Sequence, residues 1–311
     1  MTAWLTGPST TTDTAVAVTL IQSVIEEAME RCPSLRGRRI GSIPFAKVSI
    51  GLAGFDRPQV AGALSTAFRS LFEEVAFDDL VLTNDLKLLA SLAGCTNDET
   101  VCVLVAGTGS IAMGFEKTSE GYRQIARVGG WGPLLGDDGS GFDIGRQAIR
   151  HVLESEESRL DAYETVNMAP KDHLAMSVLQ HLGLSHQCAG IQEMLATLLV
   201  PASSSTADPR SKIAGIAKVV LDQQGSSPVA ADIVTGAILT LAGFARRIVG
   251  NGSRLKAAET VLVLAGGLMQ HAGFRTQLEN QIAETGLKFH RTEVVLQAAD
   301  LGAKRLLEEL S

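Results

Sequence analysis

Twelve of the chain's 31 glycines fall between Gly94 and Gly145. Backbone that rich in glycine is neither plain helix nor plain sheet, because glycine weakens either by roughly 0.5–1 kcal/mol per position relative to alanine. A flexible linker of the same density would be polar and serine-rich. Here Val, Leu, Ile, Phe and Trp are interleaved with the glycines, so the segment reads as folded backbone that turns sharply or approaches a ligand closely.

The surrounding pattern alternates helical and extended periods. Thr14 to Glu30 has apolar residues at Val16, Leu20, Ile21, Val24, Ile25 and Ala28, a helical spacing. Val48 to Ala53 reads as a strand and Pro58 to Glu73 as a helix opened by proline, whose missing N–H costs nothing there. Leu80 to Thr83 is a short strand, and Asn84-Asp85 stands where a helix through Ala93 is capped. Thr100 to Ala106 and Ser110 to Phe115 form a hairpin around Gly107-Thr108-Gly109. After the glycine-rich loop comes a helix from Ser140 to Glu154, then helical pattern to Arg254, broken at Pro201–Pro209 and Gln224–Pro228. Val261 to Ala265 is a strand meeting Gly266-Gly267, Val294 to Leu296 a last strand, and Gln297 to Leu310 a closing amphipathic helix. Strands alternating with helices make the class α/β, and β runs ending in glycine or a polar turn recur, as in two related halves.

A length of 311 residues suits two domains of ordinary size. Lys+Arg 27 against Asp+Glu 34 leaves a net charge of -7, without the basic footprint that binding nucleic acid requires. The apolar run Ile233 to Ala245 is too short and interrupted to span a bilayer, and no basic residue precedes Arg31 as a signal peptide would need. Cys32, Cys95, Cys102 and Cys188 lie far apart with no C-x-x-C pair, which fits a reducing cytoplasm. The six histidines show no ligand spacing, no Gly-Lys-Ser/Thr follows the hairpin glycines, and G-x-S-x-G is absent.

Five features remain. Asp85, between a buried strand and a helix start, is placed to stay ionised and accept a hydroxyl proton, and Asn84 or Asp85 equally serves as an N-cap. The tip Gly107-Thr108-Gly109-Ser110 offers N–H groups and two hydroxyls without bulk, suited either to phosphate oxygens or to a tight turn. Trp131, flanked by glycines, is no routine core aromatic and could cover a sugar or nucleoside face. Asp137 and Asp138 at a helix entrance could meet hydroxyls or a hydrated Mg²⁺, or simply form an acidic capping turn. The turn Gly266-Gly267 would let a flat group such as adenine come close, and is equally a common strand-to-helix turn.

In sequence order, Leu52-Ala-Gly-Phe-Asp56, Thr83-Asn-Asp85, Ala106-Gly-Thr-Gly-Ser110, Gly129-Gly-Trp-Gly-Pro-Leu-Leu-Gly-Asp137-Asp-Gly-Ser140 and Leu264-Ala-Gly-Gly267 resemble the BadF/BadG/BcrA/BcrD ATPase family, and within it the branch that phosphorylates N-acetylglucosamine. The resemblance runs from Gly7-Pro-Ser9 to Leu301-Gly-Ala303. It implies an actin-like, sugar-kinase fold of two ribonuclease-H-like domains, the first in residues 1–95 with the closing helix 297–311 returning to it, the second in 96–296. It implies ATP-dependent phosphorylation of N-acetylglucosamine or a related hexose derivative in amino-sugar salvage, with ATP and Mg²⁺. On the resemblance, Asp85 takes the role of general base. Gly107, Thr108, Gly109, Ala214, Gly266, Gly267 and Leu268 take the nucleotide. Thr11, Ser110, Trp131, Gly132 and Asp137 take the sugar, and no side-chain cluster is assigned to a metal. The expected partner is a small-molecule sugar, not nucleic acid or a membrane, and a homodimer fits.

The sequence departs from the family in two respects. It holds no Asp-Gly-Gly-Gly-Thr hairpin, so the first domain is expected to be incomplete at its N-terminus, with an unpaired edge on Val48–Ala53 that promotes self-association. Ile111 and Thr11 stand where the sugar site of the family has Asn. These losses keep open a catalytically degenerate homologue that binds sugar as a sensor or regulator. An iron–sulfur dehydratase activator needs cluster-ligating cysteines, and Cys95 and Cys102 make no convincing pair.

Overall fold

Val48-Ser-Ile-Gly-Leu52 is buried along its whole length, the signature of a parallel strand covered on both faces. The structure, a computed structural model, describes residues 2–4, 14–52, 55, 58–93, 99–119, 121–161, 172–184, 191–199, 209–250, 252–298 and 301–302. Thr11, the segments Gly7–Ser9 and 303–311, Asp56, Cys95 and Cys188 lie outside them. The chain divides into two units, one comprising Met1–Glu99, Phe115–Gln124 and Gln297–Ser311, the other Thr100–Gly114 and Ile125–Leu296.

The first unit carries β1 (Thr2–Trp4), α1 (Thr14–Glu30), β2 (Val48–Leu52), α2 (Pro58–Leu71), β3 (Leu80–Asn84) and α3 (Asp85–Leu92). Its sheet is parallel in the order β1-β2-β3, with Thr2 opposite Ser49 and Val48 opposite Leu80. The expected bare edge on β2 is therefore corrected: Ser49 to Gly51 pair with β1. Ile21, Ile25 and Met29 of α1 pack with Leu64 and Phe68 of α2 and with Val48 and Ile50 of β2. Val16 and Leu20, counted with that stripe in the sequence, are exposed, because the buried face follows the i, i+4, i+8 line from Ile21.

The second unit carries β4 (Thr100–Ala106), β5 (Ser110–Thr118) and β6 (Gly121–Gly129) except for their Phe115–Gln124 ends, α4 (Gly141–Asp161), α5 (His173–His181), α6 (Ile191–Leu199), α7 (Pro209–Gln223), α8 (Pro228–Ile248), β7 (Thr260–Ala265), α9 (Ala272–Glu284) and β8 (Arg291–Val295). The sheet order β6-β5-β4-β7-β8 makes β4, the first strand of this unit, the central one. β4 and β7 run parallel from Thr100 opposite Thr260 to Val105 opposite Ala265, and the two threonine hydroxyls meet at 2.7 Å. Ile144 and Val152 of α4, Ile216 and Val220 of α7, and Val234 and Leu241 of α8 share its core. α8 is long and apolar enough to cross a membrane, yet its inner face, from Ala230 to Ile248, is buried in this core. β6 was not expected, since Tyr122-Arg-Gln-Ile-Ala-Arg127 alternates poorly.

Candidate active site

In the first unit, β3 leads directly into α3. Asn84 is the N-cap, its Oδ1 accepting the Leu86 N–H at 2.9 Å, and Asp85 Oδ1 accepts the same N–H at 3.0 Å. Asp85 thus stands in the first turn of a helix, where the macrodipole favours the carboxylate. Gly51 on the neighbouring strand makes this possible: a β-carbon there would lie 3.1 Å from Asp85 Cα and 2.9 Å from Leu88 Cδ2.

In the second unit, β4 and β7 end side by side in glycine turns. Gly266 has φ 103, and Gly107 lies where a β-carbon would stand 3.5 Å from the Gly267 nitrogen. The Gly107 and Thr108 carbonyls accept the N–H groups of Gly141 and Phe142 at 2.8 and 3.3 Å. The Ser140 hydroxyl takes Asp143 N–H, while Asp143 Oδ2 reaches back to Gly139 N–H at 2.9 Å. These are reciprocal caps of the capping-box kind, so the start of α4 is closed by the protein itself. What the turns present outward is thin glycine backbone at Gly107, Gly109 and Gly267, and the exposed Thr108.

The turn from Gly129 to Ser140 lies against this cradle. Gly129, Gly130 and Gly132 all have positive φ, and the Gly132 carbonyl accepts from Gly136 N–H at 2.8 Å. Trp131 is 60% exposed, and Leu134 and Leu135 are also turned to solvent. Asp137 is the reverse: 4% exposed, with φ 62, the one non-glycine residue with positive φ among the described residues. Its Oδ1 accepts Ser110 N–H at 3.2 Å and its Oδ2 accepts Arg210 Nη2 at 2.7 Å, while Ser110 Oγ donates to the Asp138 carbonyl at 2.7 Å.

The sequence model of the BadF/BadG/BcrA/BcrD ATPase family matches residues 1–298. The chain belongs to this family. Among curated relatives, an N-acetylmuramic acid/N-acetylglucosamine kinase of Clostridium acetobutylicum is 38% identical over 112 residues, 36% of this chain and 34% of that protein. An N-acetyl-D-glucosamine kinase of Dictyostelium discoideum is 30% identical over 145 residues, 47% of this chain and 40% of that protein. The chain thus spans well under half the length of these two relatives. Solved structures assigned as N-acetylglucosamine kinases share its fold: one from Porphyromonas gingivalis at TM-score 0.62 and 22% identity, covering 93% of this chain and 86% of that one, and one from Chromobacterium violaceum at 0.59 and 21%, covering 94% and 86%.

As a BadF/BadG/BcrA/BcrD protein, the chain has the mixed α/β, sugar-kinase type of fold expected from its motifs. Its second unit brings Gly107, Ser110, Asp137, Ala214 and Gly266 into one neighbourhood: a β-carbon on Gly141 would lie 3.0 Å from the Gly107 carbonyl and 3.4 Å from that of Ala214. Leu268 is buried in the turn that follows Gly266. Asp85 belongs to the other unit. Arg210 was missed in the sequence, where it reads only as a basic residue after Pro209, 73 positions from its partner. Arg127 was missed as well; its Nη2 donates to the Gly130 carbonyl at 2.7 Å and braces the turn before Trp131.

Proposed function

We propose that this chain carries the nucleotide- and sugar-binding core of an amino-sugar kinase, which moves the γ-phosphoryl group of ATP to a hydroxyl of N-acetylglucosamine or a related hexose derivative. The observation that carries this reading is the pair of glycine turns closing β4 and β7, where a β-carbon on Gly107 would stand 3.5 Å from the Gly267 nitrogen and one on Gly267 would point into open space. Thin backbone of that kind suits phosphate oxygens and a flat base. Family membership and the kinase names of both curated relatives support it, and those names favour catalysis over a sugar-binding sensor.

In this reading residues through 95 supply Asp85, and 96–296 supply the nucleotide contacts Gly107, Thr108, Gly109, Ala214, Gly266, Gly267 and Leu268. Phosphoryl transfer through a loose transition state asks mainly for positioning and charge stabilisation. The sugar hydroxyl gives its proton to the Asp85 carboxylate as its oxygen bonds to the γ-phosphorus, and ADP leaves. Trp131 covers one sugar face, while Gly132, Ser110 and Asp137, together with Thr11, meet its polar groups. Each Asp137 oxygen keeps a second lone pair beyond its bond to Ser110 or Arg210. Mg²⁺ bound to ATP would neutralise charge on the phosphates. Asp137 and Asp143 are already bonded to Arg210 and Arg146, which leaves exposed Asp138 as the carboxylate of this turn to meet a hydrated ion. The cytoplasm, with its ATP and reduced thiols, is the compartment this chemistry fits.

The test is product identity. The purified protein, given ATP, Mg²⁺ and in turn N-acetylglucosamine, N-acetylmuramic acid, glucosamine and glucose, is expected to form a sugar monophosphate from at least one N-acetylated sugar, seen by phosphorus NMR and mass. ADP without any sugar phosphate would sink the reading.

A further inference from the structure

Arg210 opens α7 in the second unit, and its guanidinium is largely withdrawn from solvent: the side chains of Arg210 and Asp137 are 17% and 4% exposed. A carboxylate so buried requires a cation and donors around it, and removing one partner alone leaves an uncompensated charge. Through Asp137 the ion pair ties three pieces of chain. These are the turn carrying Trp131, the turn Gly107–Ser110 by way of Ser110 N–H, and α7. The fit leaves no slack, since a β-carbon on Gly109 would stand 2.6 Å from both Arg210 Nη2 and Asp137 Oδ1. Asp137 also holds a left-handed φ of 62, a conformation that persists only where surrounding contacts impose it.

We infer that Arg210 is a positioning residue for the transfer proposed above. Its guanidinium holds Asp137 in the left-handed conformation and so sets the turn that presents Trp131 and Asp137 to the sugar against the turn that faces the phosphates. The kinetic half of this inference rests on the kinase reading; the structural half does not. Lysine can restore the charge but not the planar guanidinium whose Nη2 reaches Asp137 Oδ2, so Arg210→Lys is a partial replacement.

The experiment uses Arg210→Met, Arg210→Lys and the double variant Arg210→Met/Asp137→Asn, each with Trp4→Phe so that Trp131 is the one remaining tryptophan. Acrylamide quenching of Trp131, thermal melts, and kcat with separate KM values for sugar and ATP are compared with the Trp4→Phe parent. Arg210→Met is expected to change Trp131 quenching and to raise the sugar KM about tenfold or more, leaving the ATP KM within about threefold, at a temperature where it is folded. Arg210→Lys should fall between it and the parent. The double variant should melt higher than Arg210→Met, because no buried charge is stranded, without recovering the sugar KM. Parental quenching and sugar KM in folded Arg210→Met would overturn the inference, as would equal rises in both KM values. If Arg210→Met does not fold, Arg210→Lys decides alone: a raised sugar KM supports positioning and a parental one refutes it. If the parent phosphorylates no sugar, the kinase reading fails, and Trp131 quenching still decides the structural half.

Discussion

Gly266 packs against the backbone of Ala106 so closely that a β-carbon would stand 2.4 Å from the Ala106 carbonyl oxygen. The contact follows from register: Val105 pairs with Ala265, so β4 and β7 end together and Ala106 lies against Gly266.

Gly266→Ala combines that collision with a φ of 103, and it is expected to destabilise the protein by about 1–3 kcal/mol or more. Gly267 differs, since a β-carbon there meets nothing within 4 Å. Gly267→Ala should melt like the parent yet bind ATP more weakly, because the open space is the space assigned to the nucleotide. Calorimetric melts with and without ATP separate the two; a Gly267→Ala protein that ATP stabilises as much as the parent would move the nucleotide elsewhere.

Asn84→Ala removes the α3 cap. Such losses cost about 0.5–2 kcal/mol, and the low end is expected because Asp85 Oδ1 also accepts the Leu86 N–H. Urea denaturation should show this drop with turnover nearly intact. A large loss of turnover at unchanged stability would shift the chemistry from Asp85 to Asn84.

What could be read from the sequence was whatever is coded locally. Helix α1 from Thr14 to Glu30, the Asn84 cap, and β4 meeting its hairpin glycines all follow from neighbouring residues. β6 escaped because its two faces are both mixed, Tyr122 and Val128 buried among Arg123, Gln124 and Arg127. Pairing of β1 with β2 is a long-range choice that three residues cannot announce. In the site, glycine density pointed to the turns, but the Asp137–Arg210 pair depends on α7 returning to the Gly109 tip, which no local pattern records.

The cysteines should separate by burial. Cys102 lies wholly inside the central strand, and desolvation pushes its thiol up to about 12, so it stays protonated and inert at neutral pH. Cys32 is half-buried, and its hydrogen bond with the Ser34 hydroxyl lowers its pKa. Iodoacetamide at pH 8 followed by peptide mass mapping should label Cys32 in the native protein and Cys102 only after denaturation. Rapid native labelling of Cys102 would contradict the buried position of β4.

Asp85→Asn tests the assignment of the base most directly. The amide keeps an oxygen to accept the Leu86 N–H, so folding should be preserved, while the group that takes the sugar proton is lost. Sugar-dependent ADP release is expected to fall by roughly 10²–10⁴ at nearly unchanged sugar KM. Turnover equal to the parent would contradict Asp85 as the base, and with it the mechanism proposed for this chain.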